Sequence, residues 1–445
     1  MSHVTFNLAI RCRPAGGVTV NDYNGAAFHF LSTGRRGPPL PWLARQPLSS
    51  IYSVCYLATV LPRIPYWTLK FALFPRLRPI PTWTLKQSLM ATLTKPVLHG
   101  ACVTETPAPL SLEPGQEKDR FCIAQPGSET DYVGPLRSAA VAPAPVGITC
   151  FLPTDKPSKS SSLPSSSSLS SMVMLHVHGG AFVIGDGRTA TMGFGASMLL
   201  RHAGVDRVYS PQYRLACRPD PVPFPGALQD VLTSYLYLVR ELGIPAKDIV
   251  LSGDSAGGNL IIGLLRYLAE HSTQLHNSIP LPHSAVLISP WVAPVNNLGP
   301  DVVLTSNPHY GTDILPPSFL RWGAAAYARL VPASDPYISP LGRPFVTPVR
   351  LFVSFGAAEV LEIDGARWVR EMQEVVALLE EEEEDGGKEE EEEEAERPRA
   401  HDEDGAPHDT LLVGGNLGFE DSVREVTTKV GEFIRRKPRA SLLAN

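Results

Sequence analysis

The chain has 445 residues, of which 43% are hydrophobic and 19% are charged. These values are near ordinary globular usage, so they exclude a wholly disordered chain and a collagen-like scaffold. The formal net charge is −6, but residues 380–396 alone contain thirteen acidic residues and one lysine. The remainder of the chain is therefore basic, with a net charge of about +6. It has no strongly basic domain with interleaved aromatic residues, so the sequence predicts no nucleic-acid binding.

The first 45 residues are rich in Gly, Pro and Arg without sustained periodicity, so we expect a poorly ordered N-terminal extension. They contain no recognisable secretory signal, which predicts a cytoplasmic protein. The apolar run at 51–61 is about 11 residues long, whereas roughly 20 are needed to cross a bilayer. The six cysteines show neither metal-ligand spacing nor a dense disulfide pattern, so we expect no metal site.

Segment 46–98 consists of apolar and aromatic stretches broken by prolines. The pattern favours short helices that form a lid over the body of the protein or lie at a membrane interface. The sequence leaves both readings open. The body is expected at 99–437, followed by a short tail at 438–445. A Ser-rich stretch at 156–171 and the Glu-rich stretch at 380–396 are predicted to be solvated insertions in this body.

Short apolar runs alternate with helical patterns along the body, which predicts an α/β fold with a mostly parallel, doubly wound sheet. The predicted strands are Met172–His178, Val205–Ser210, Asp248–Ser252, Ala285–Ser289, Arg350–Ser354 and Thr410–Val413. The predicted helices are Gly226–Leu242, Gly257–His271, Asp364–Leu379 and Glu420–Lys437.

The segment from Gly253 to Gly257 reads GDSAG, with an apolar strand before it and an apolar helix after it. This context is what a nucleophile elbow requires, since glycines allow the sharp strand-to-helix turn that exposes Ser255. The N-terminus of the following helix would direct N–H groups at a reacting oxygen. Ser255 is therefore the candidate nucleophile, with the N–H of Ala256 as a candidate oxyanion donor.

A second motif lies upstream, where an apolar strand ends in His178-Gly179-Gly180-Ala181. Consecutive main-chain N–H groups in such a loop can bind the oxyanion that develops on an acyl carbonyl. Gly179, Gly180 and Ala181 are therefore candidate oxyanion-hole residues. The glycines alone would equally fit a strand-terminating turn, and the elbow is what favours the functional interpretation.

A nucleophilic serine needs a histidine base, and the base needs a carboxylate partner. In this type of fold the chain order is Ser, acid, His. His408 follows the last expected loop and is the candidate base, whereas His401 sits among acidic residues. The remaining downstream histidines are less suitably placed, and they are His271, His276, His283 and His309.

Glu359 lies just beyond the carboxyl end of the strand at 350–354, where open α/β sheets place reacting groups, and it is the candidate acid. Asp364 is the alternative, although an Asp at that position commonly caps a helix. Asp254 is excluded as the acid because it adjoins the nucleophile.

On these residues the chain resembles the hormone-sensitive-lipase-like branch of the α/β-hydrolases, which contains many microbial and fungal esterases. The resemblance covers roughly residues 85–437 and rests on HVHGGA (176–181), QYRLA (212–216), PFPGALQD (223–230), GDSAGG (253–258), DPYISPL (335–341), GAAEVLEIDG (356–365) and PHDTLL (407–412). It implies a Ser255–Glu359–His408 triad, an oxyanion hole in the HGG loop and a helical N-terminal lid. The family commonly has a third glycine where this chain has Ala181.

The leading hypothesis is therefore a serine carboxylesterase that hydrolyses short-chain or acetyl esters of a hydrophobic small molecule through an acyl-enzyme, without metal or organic cofactor. An amidase or formamidase would use the same triad. A ligand-binding relative without catalysis is the alternative from another class. Peripheral membrane contact through 46–98 is a further expectation left open.

Overall fold

The structure, a computed structural model, describes residues 41–153, 172–275, 279–384 and 397–436. The N-terminal extension up to residue 40, the Ser-rich stretch, residues 385–396 of the Glu-rich stretch and the C-terminal tail lie outside this part of the chain. Residues Trp42–Ala44 of the expected extension form a short 3-10 helix. No helix in the described ranges is both long enough and apolar enough to cross a membrane.

The centre of the fold is an eight-stranded sheet with the order β1-β2-β4-β3-β5-β6-β7-β8. Its strands are β1 (Phe121–Ala124), β2 (Val146–Phe151), β3 (Val173–Val177), β4 (Arg207–Gln212), β5 (Ile249–Asp254), β6 (Ser284–Ile288), β7 (Arg350–Gly356) and β8 (Arg399–Glu403). Only the pairs β1–β2 and β2–β4 are antiparallel. From β4 to β8 all neighbouring strands run parallel, so their carboxyl ends meet at one edge. The predicted mostly parallel α/β fold is thus confirmed.

Helices cover both faces of the sheet. The described α-helices are α1 (Leu48–Val60), α2 (Arg63–Leu73), α3 (Leu85–Val103), α4 (Thr189–Met198), α5 (Gly226–Leu236), α6 (Ala256–Glu270), α7 (Val302–Thr305), α8 (Pro317–Tyr327), α9 (Glu362–Glu384), α10 (Thr410–Leu417) and α11 (Glu420–Arg435). Alternate strand residues serve different cores, because successive side chains point to opposite faces of a sheet. Leu175 and Leu251 pack in the core that includes α5 and α6, whereas Met174 and Val250 pack with α4 and α11.

One predicted strand is wrong, since residues Thr410–Val413 begin helix α10. The side chain of Asp409 accepts a hydrogen bond from Leu412 N and caps this helix, and Gly418 ends it with a φ of 90°. A run of four apolar or β-branched residues fits a strand and a helix equally well, so these caps decide the outcome.

Three strands were not predicted, namely β1, β2 and β8. β8 is an edge strand that pairs only with β7, and its sequence is RAHDE, so it lacks an apolar pattern. The helix predicted at Asp364–Leu379 extends over Glu362–Glu384 and therefore enters the Glu-rich stretch.

Candidate active site

The turn after β5 places Ser255 at the carboxyl edge of the sheet. Ser255 has φ 50° and ψ −115°, and α6 begins with the next residue. A Cβ on Gly257 would lie 1.9 Å from the carbonyl oxygen of Val177 in β3, so only glycine fits there. The N–H of Ser255 is donated to Ile288 O at 2.9 Å, which fixes the turn to β6. These contacts form the strand-turn-helix arrangement that a nucleophile elbow requires.

Ser255, His408 and Glu359 form one hydrogen-bonded chain. His408 Nε2 lies 2.9 Å from Ser255 Oγ, and His408 Nδ1 lies 3.1 Å from Glu359 Oε2. Glu359 and His408 are buried, and Ser255 is 5% exposed. The structure thus brings together the three residues predicted from the sequence, although they are 49 and 153 positions apart along the chain.

The environment of His408 favours its protonated form. Burial lowers the pKa of His408, but the adjacent Glu359 carboxylate, together with Asp313 and Asp409, outweighs burial and holds the pKa above its ordinary value. Burial raises the pKa of Glu359, and the opposing effect of His408 is smaller. A buried carboxylate beside an imidazole can both orient the ring and stabilise the imidazolium.

The loop after β3 approaches the nucleophile through Asp254. Gly179 N donates to Asp254 Oδ2 at 2.6 Å, so this N–H is already engaged and Gly179 serves as an anchor of the loop. The loop then turns, with φ 105° at Gly180 and φ 51° at Ala181. Gly180 O accepts hydrogen bonds from Val183 and Ile184 at 3.0 Å each. The oxyanion roles predicted for Gly180, Ala181 and Ala256 stay predictions.

Two buried carboxyl groups link the nucleophile turn to the base loop. Asp254 is hydrogen-bonded to Asp409, the residue after His408. Asp254 Oδ1 also lies 2.8 Å from His176 Nε2, and burial lowers the pKa of that histidine to about 4. Burial raises the pKa of Asp254 to about 6 and that of Asp409 well above its ordinary value. Two adjacent buried carboxylates cannot both ionise at low cost, so we expect the pair to share a proton.

Asp313 is a site residue that sequence reasoning missed. Its Oδ1 accepts from His408 N at 3.1 Å, and its Oδ2 accepts from Val360 N at 2.8 Å. It thereby ties the loop of the base to the loop of the acid Glu359. No motif surrounds Asp313, and only the tertiary fold brings its loop, which precedes α8, to the carboxyl ends of β7 and β8.

The alternative candidates lie elsewhere. Asp364 is in the first turn of α9 and accepts from Asn296 Nδ2 at 3.1 Å. His401 belongs to β8, where its Nε2 is 3.7 Å from Glu425 Oε1. His271 follows α6, His283 precedes β6, and His309 lies in the loop before Asp313, while His276 is outside the described residues. No group of three or more His, Cys, Asp or Glu side chains in the described ranges could hold a metal ion.

The shared proton predicts how stability depends on pH. In the unfolded chain both carboxyls ionise near pH 4. The folded state retains a proton that the unfolded state loses, so raising the pH from 5 to 8 should destabilise the fold. Asp409→Asn supplies an amide N–H to Asp254 without a titrating proton. Between pH 5 and pH 8 the variant should therefore lose about 2 kcal/mol less of its free energy of unfolding than the unmodified chain does. Urea unfolding at the two pH values measures this difference.

Asp421→Asn is the matched control, because Asp421 is an exposed aspartate in α11. It should leave the pH dependence unchanged. Equal pH dependence in Asp409→Asn and the unmodified chain would contradict the shared proton.

Comparisons with known proteins agree with this fold. Residues 174–387 match a family described as an alpha/beta hydrolase fold. The chain is 35% identical to an acetyl-hydrolase of Streptomyces hygroscopicus over 118 residues, which are 26% of this chain and 35% of that protein. It is 25% identical to an esterase of Acinetobacter venetianus over 281 residues, which are 60% of this chain and 78% of that protein. It is 28% identical to human hormone-sensitive lipase over 134 residues, which are 29% of this chain and 12% of that protein.

The chain thus spans about a third of the first of these relatives, and most of the second. All three are named for the hydrolysis of esters, lipids or acetyl groups, which supports the prediction of a carboxylic ester hydrolase. With its eight-stranded sheet and its match at 174–387, the chain has an α/β-hydrolase fold, and it is similar to human hormone-sensitive lipase over part of its length.

Proposed function

We propose that this chain is a serine carboxylesterase that hydrolyses acetyl or other short-chain esters of a hydrophobic small molecule through an acyl-enzyme. The observation that carries the proposal is the hydrogen-bonded chain from Ser255 Oγ through His408 to Glu359. The acetyl-hydrolase and esterase among the relatives support the same substrate class.

In this mechanism His408 Nε2 removes the proton of the Ser255 hydroxyl as the oxygen attacks the acyl carbonyl. Glu359 holds the ring in the required tautomer and stabilises the positive charge that develops on it. His408 then gives the proton to the leaving alcohol. Water, activated by the same imidazole, hydrolyses the acyl-enzyme and restores Ser255. No metal or organic cofactor takes part.

The negative charge on the carbonyl oxygen needs donors that are already in place. We assign this role to the N–H groups of Gly180, Ala181 and Ala256. Ala256 opens α6, so its N–H lies at the positive end of a 15-residue helix. Ala181 adopts a positive φ that most residues avoid, which supports a functional reason for the loop conformation. Gly179 anchors the loop through Asp254.

A preference for short acyl groups is supported by the aromatic packing beside the nucleophile. The ring of Phe182 stacks on Tyr327 at 4.0 Å and on Trp291 at 5.7 Å between centroids. Trp291 N donates to Ser255 O at 3.0 Å, so this fully buried cluster adjoins the nucleophile turn. Close-packed rings leave little room for a long acyl chain on that side.

We propose that α3 is the part of the 46–98 segment that acts as a lid. Its His99 Nδ1 lies 2.9 Å from Ser318 Oγ of α8. Near its start, Trp83 Nε1 donates to Gly405 O at 2.7 Å, three residues before His408. These contacts support a lid position for α3, with its N-terminal end near the loop of His408 and its C-terminal end on α8.

Kinetics on p-nitrophenyl esters of two, four, eight and twelve carbons test the substrate class. We expect a burst of product, turnover that falls with acyl length, and loss of turnover by about 10⁴-fold or more in Ser255→Ala. Ser234→Ala is the matched control, because it removes a buried hydroxyl that donates to Asp230 O within α5 rather than to a residue of the proposed triad. Turnover in Ser255→Ala at the unmodified rate would overturn the proposal. Cleavage of anilides but not esters would indicate an amidase, and ligand binding without turnover a non-catalytic relative.

The role of Glu359 predicts a change in the pH profile. The unprotonated His408 is the active base, so kcat/KM should rise with pH through an apparent pKa above 6.5, the ordinary value for histidine. Glu359→Gln removes the charge that raises this pKa while burial still lowers it. We expect the apparent pKa to fall relative to the unmodified chain, although Asp313 and Asp409 still raise it, and kcat/KM to fall about 100-fold or more.

Glu362→Gln is the control for this experiment, since Glu362 is a partly exposed glutamate at the start of α9. It should keep both the rate and the profile of the unmodified chain. A Glu359→Gln profile with an unshifted apparent pKa would exclude Glu359 as the partner of the base.

A further inference from the structure

Helices α1 and α2 expose an unusual amount of apolar surface. In α1 the buried residues are Ser49 and Val60 alone. In α2 Phe71 alone is buried. Ten large hydrophobic side chains in and beside these two helices are at least half exposed. They are Trp42, Ile51, Val54, Leu57, Leu61, Tyr66, Leu69, Leu73, Phe74 and Leu77. Contiguous apolar surface of this kind marks an interaction site, because soluble proteins otherwise bury it.

The composition of α1 strengthens this reading. Residues 46–62 contain no charged residue, and apolar side chains occur on all sides of the helix. A helix that is apolar all round is normally enclosed by protein or by lipid. The described part of the chain encloses little of α1, so most of its apolar surface is left uncovered by the described residues.

The charges around this surface indicate which partner fits. Residues 41–103, which include both helices, contain seven Lys and Arg residues and no acidic residue. Arg63 and Lys70 lie in α2 and Arg76 follows it, next to the exposed apolar side chains. A basic and apolar surface without acidic residues complements a bilayer that contains anionic phospholipid, since the hydrocarbon takes the apolar groups and the head groups take the cations.

The dimensions favour a helix that lies on the bilayer rather than one that crosses it. The 13 residues of α1 extend about 20 Å at 1.5 Å per residue, whereas the hydrocarbon core is about 30 Å thick. Pro62 separates α1 from α2, so the two helices do not form one longer span.

We propose that α1 and α2, with their flanking residues 41–47 and 74–80, dock this protein on the surface of membranes that contain anionic phospholipid. Exposed apolar side chains enter the boundary between head groups and acyl chains, and Arg63, Lys70 and Arg76 contact the phosphates. Because both helices pack on α3, which contacts α8, docking would hold the carboxyl edge of the sheet close to the lipid. This proposal does not depend on the proposed hydrolase activity.

Flotation of the full-length chain with phospholipid vesicles tests the proposal. Vesicles of phosphatidylcholine alone are compared with vesicles that contain phosphatidylserine as well. We expect the chain to float with the anionic vesicles, less with the neutral ones, and less in high salt. Ile51→Glu with Leu57→Glu should weaken partition about tenfold or more, and so should the triple charge reversal Arg63→Glu, Lys70→Glu and Arg76→Glu.

The matched control is Leu152→Glu with Leu281→Glu, two exposed leucines at the opposite edge of the sheet. It should float as the unmodified chain does. Thermal unfolding of every variant shows that a loss of flotation is not a loss of fold.

Three results would overturn the proposal. The first is a full-length chain that floats with no vesicle. The second is a chain that floats only after residues 1–40 are deleted, which would make those residues the occupant of this surface. The third is a dimer in analytical ultracentrifugation that Ile51→Glu with Leu57→Glu dissociates, without flotation of the unmodified chain, which would make a second copy the occupant.

Discussion

The close approach of two backbones at Gly257 and Val177 is the constraint on which the site depends. A Cβ at Gly257 would lie 1.9 Å from the Val177 carbonyl oxygen, so the start of α6 can reach the end of β3 only without a side chain there. That approach brings the loop after β3 beside the nucleophile turn. In the same turn Ser255 has φ 50°, and its hydroxyl lies 2.9 Å from His408 Nε2.

Buried carboxyl groups then join loops that are far apart in the chain. Asp313 accepts one hydrogen bond from the base loop and one from the acid loop, and Asp254 holds the loop at Gly179 while it contacts Asp409. Burying charge is costly unless each oxygen has a donor, and these carboxyls meet that condition through main-chain N–H groups and a shared proton. The resulting network fixes the positions of Ser255 and His408 relative to each other.

The predictions that succeeded concern features that are local in sequence. The strands before Gly179 and Ser255 and the elbow itself could be predicted, because apolar periodicity and glycine spacing lie within a dozen residues. β8 and α10 could not, since a polar edge strand has no apolar pattern and the helix depends on the caps at Asp409 and Gly418. Asp313 was missed for a similar reason, because its role arises only when its loop, β7 and β8 meet. The lid interpretation of 46–98 stays a prediction; within this segment Trp83 contacts Gly405, three residues before His408, and α1 is largely exposed.

The proposed nucleophile, Ser255, lies at the carboxyl edge of the sheet, and α1 and α2 carry the surface that we propose for binding lipid. The central claim is that Ser255 carries the acyl group. The most direct measurement is mass spectrometry of peptides after the chain has reacted with p-nitrophenyl acetate and been quenched in acid. The account predicts one acetyl group per chain, on the peptide that contains Ser255. Rapid release of p-nitrophenol with an acetyl group on another residue, or on none, would contradict it.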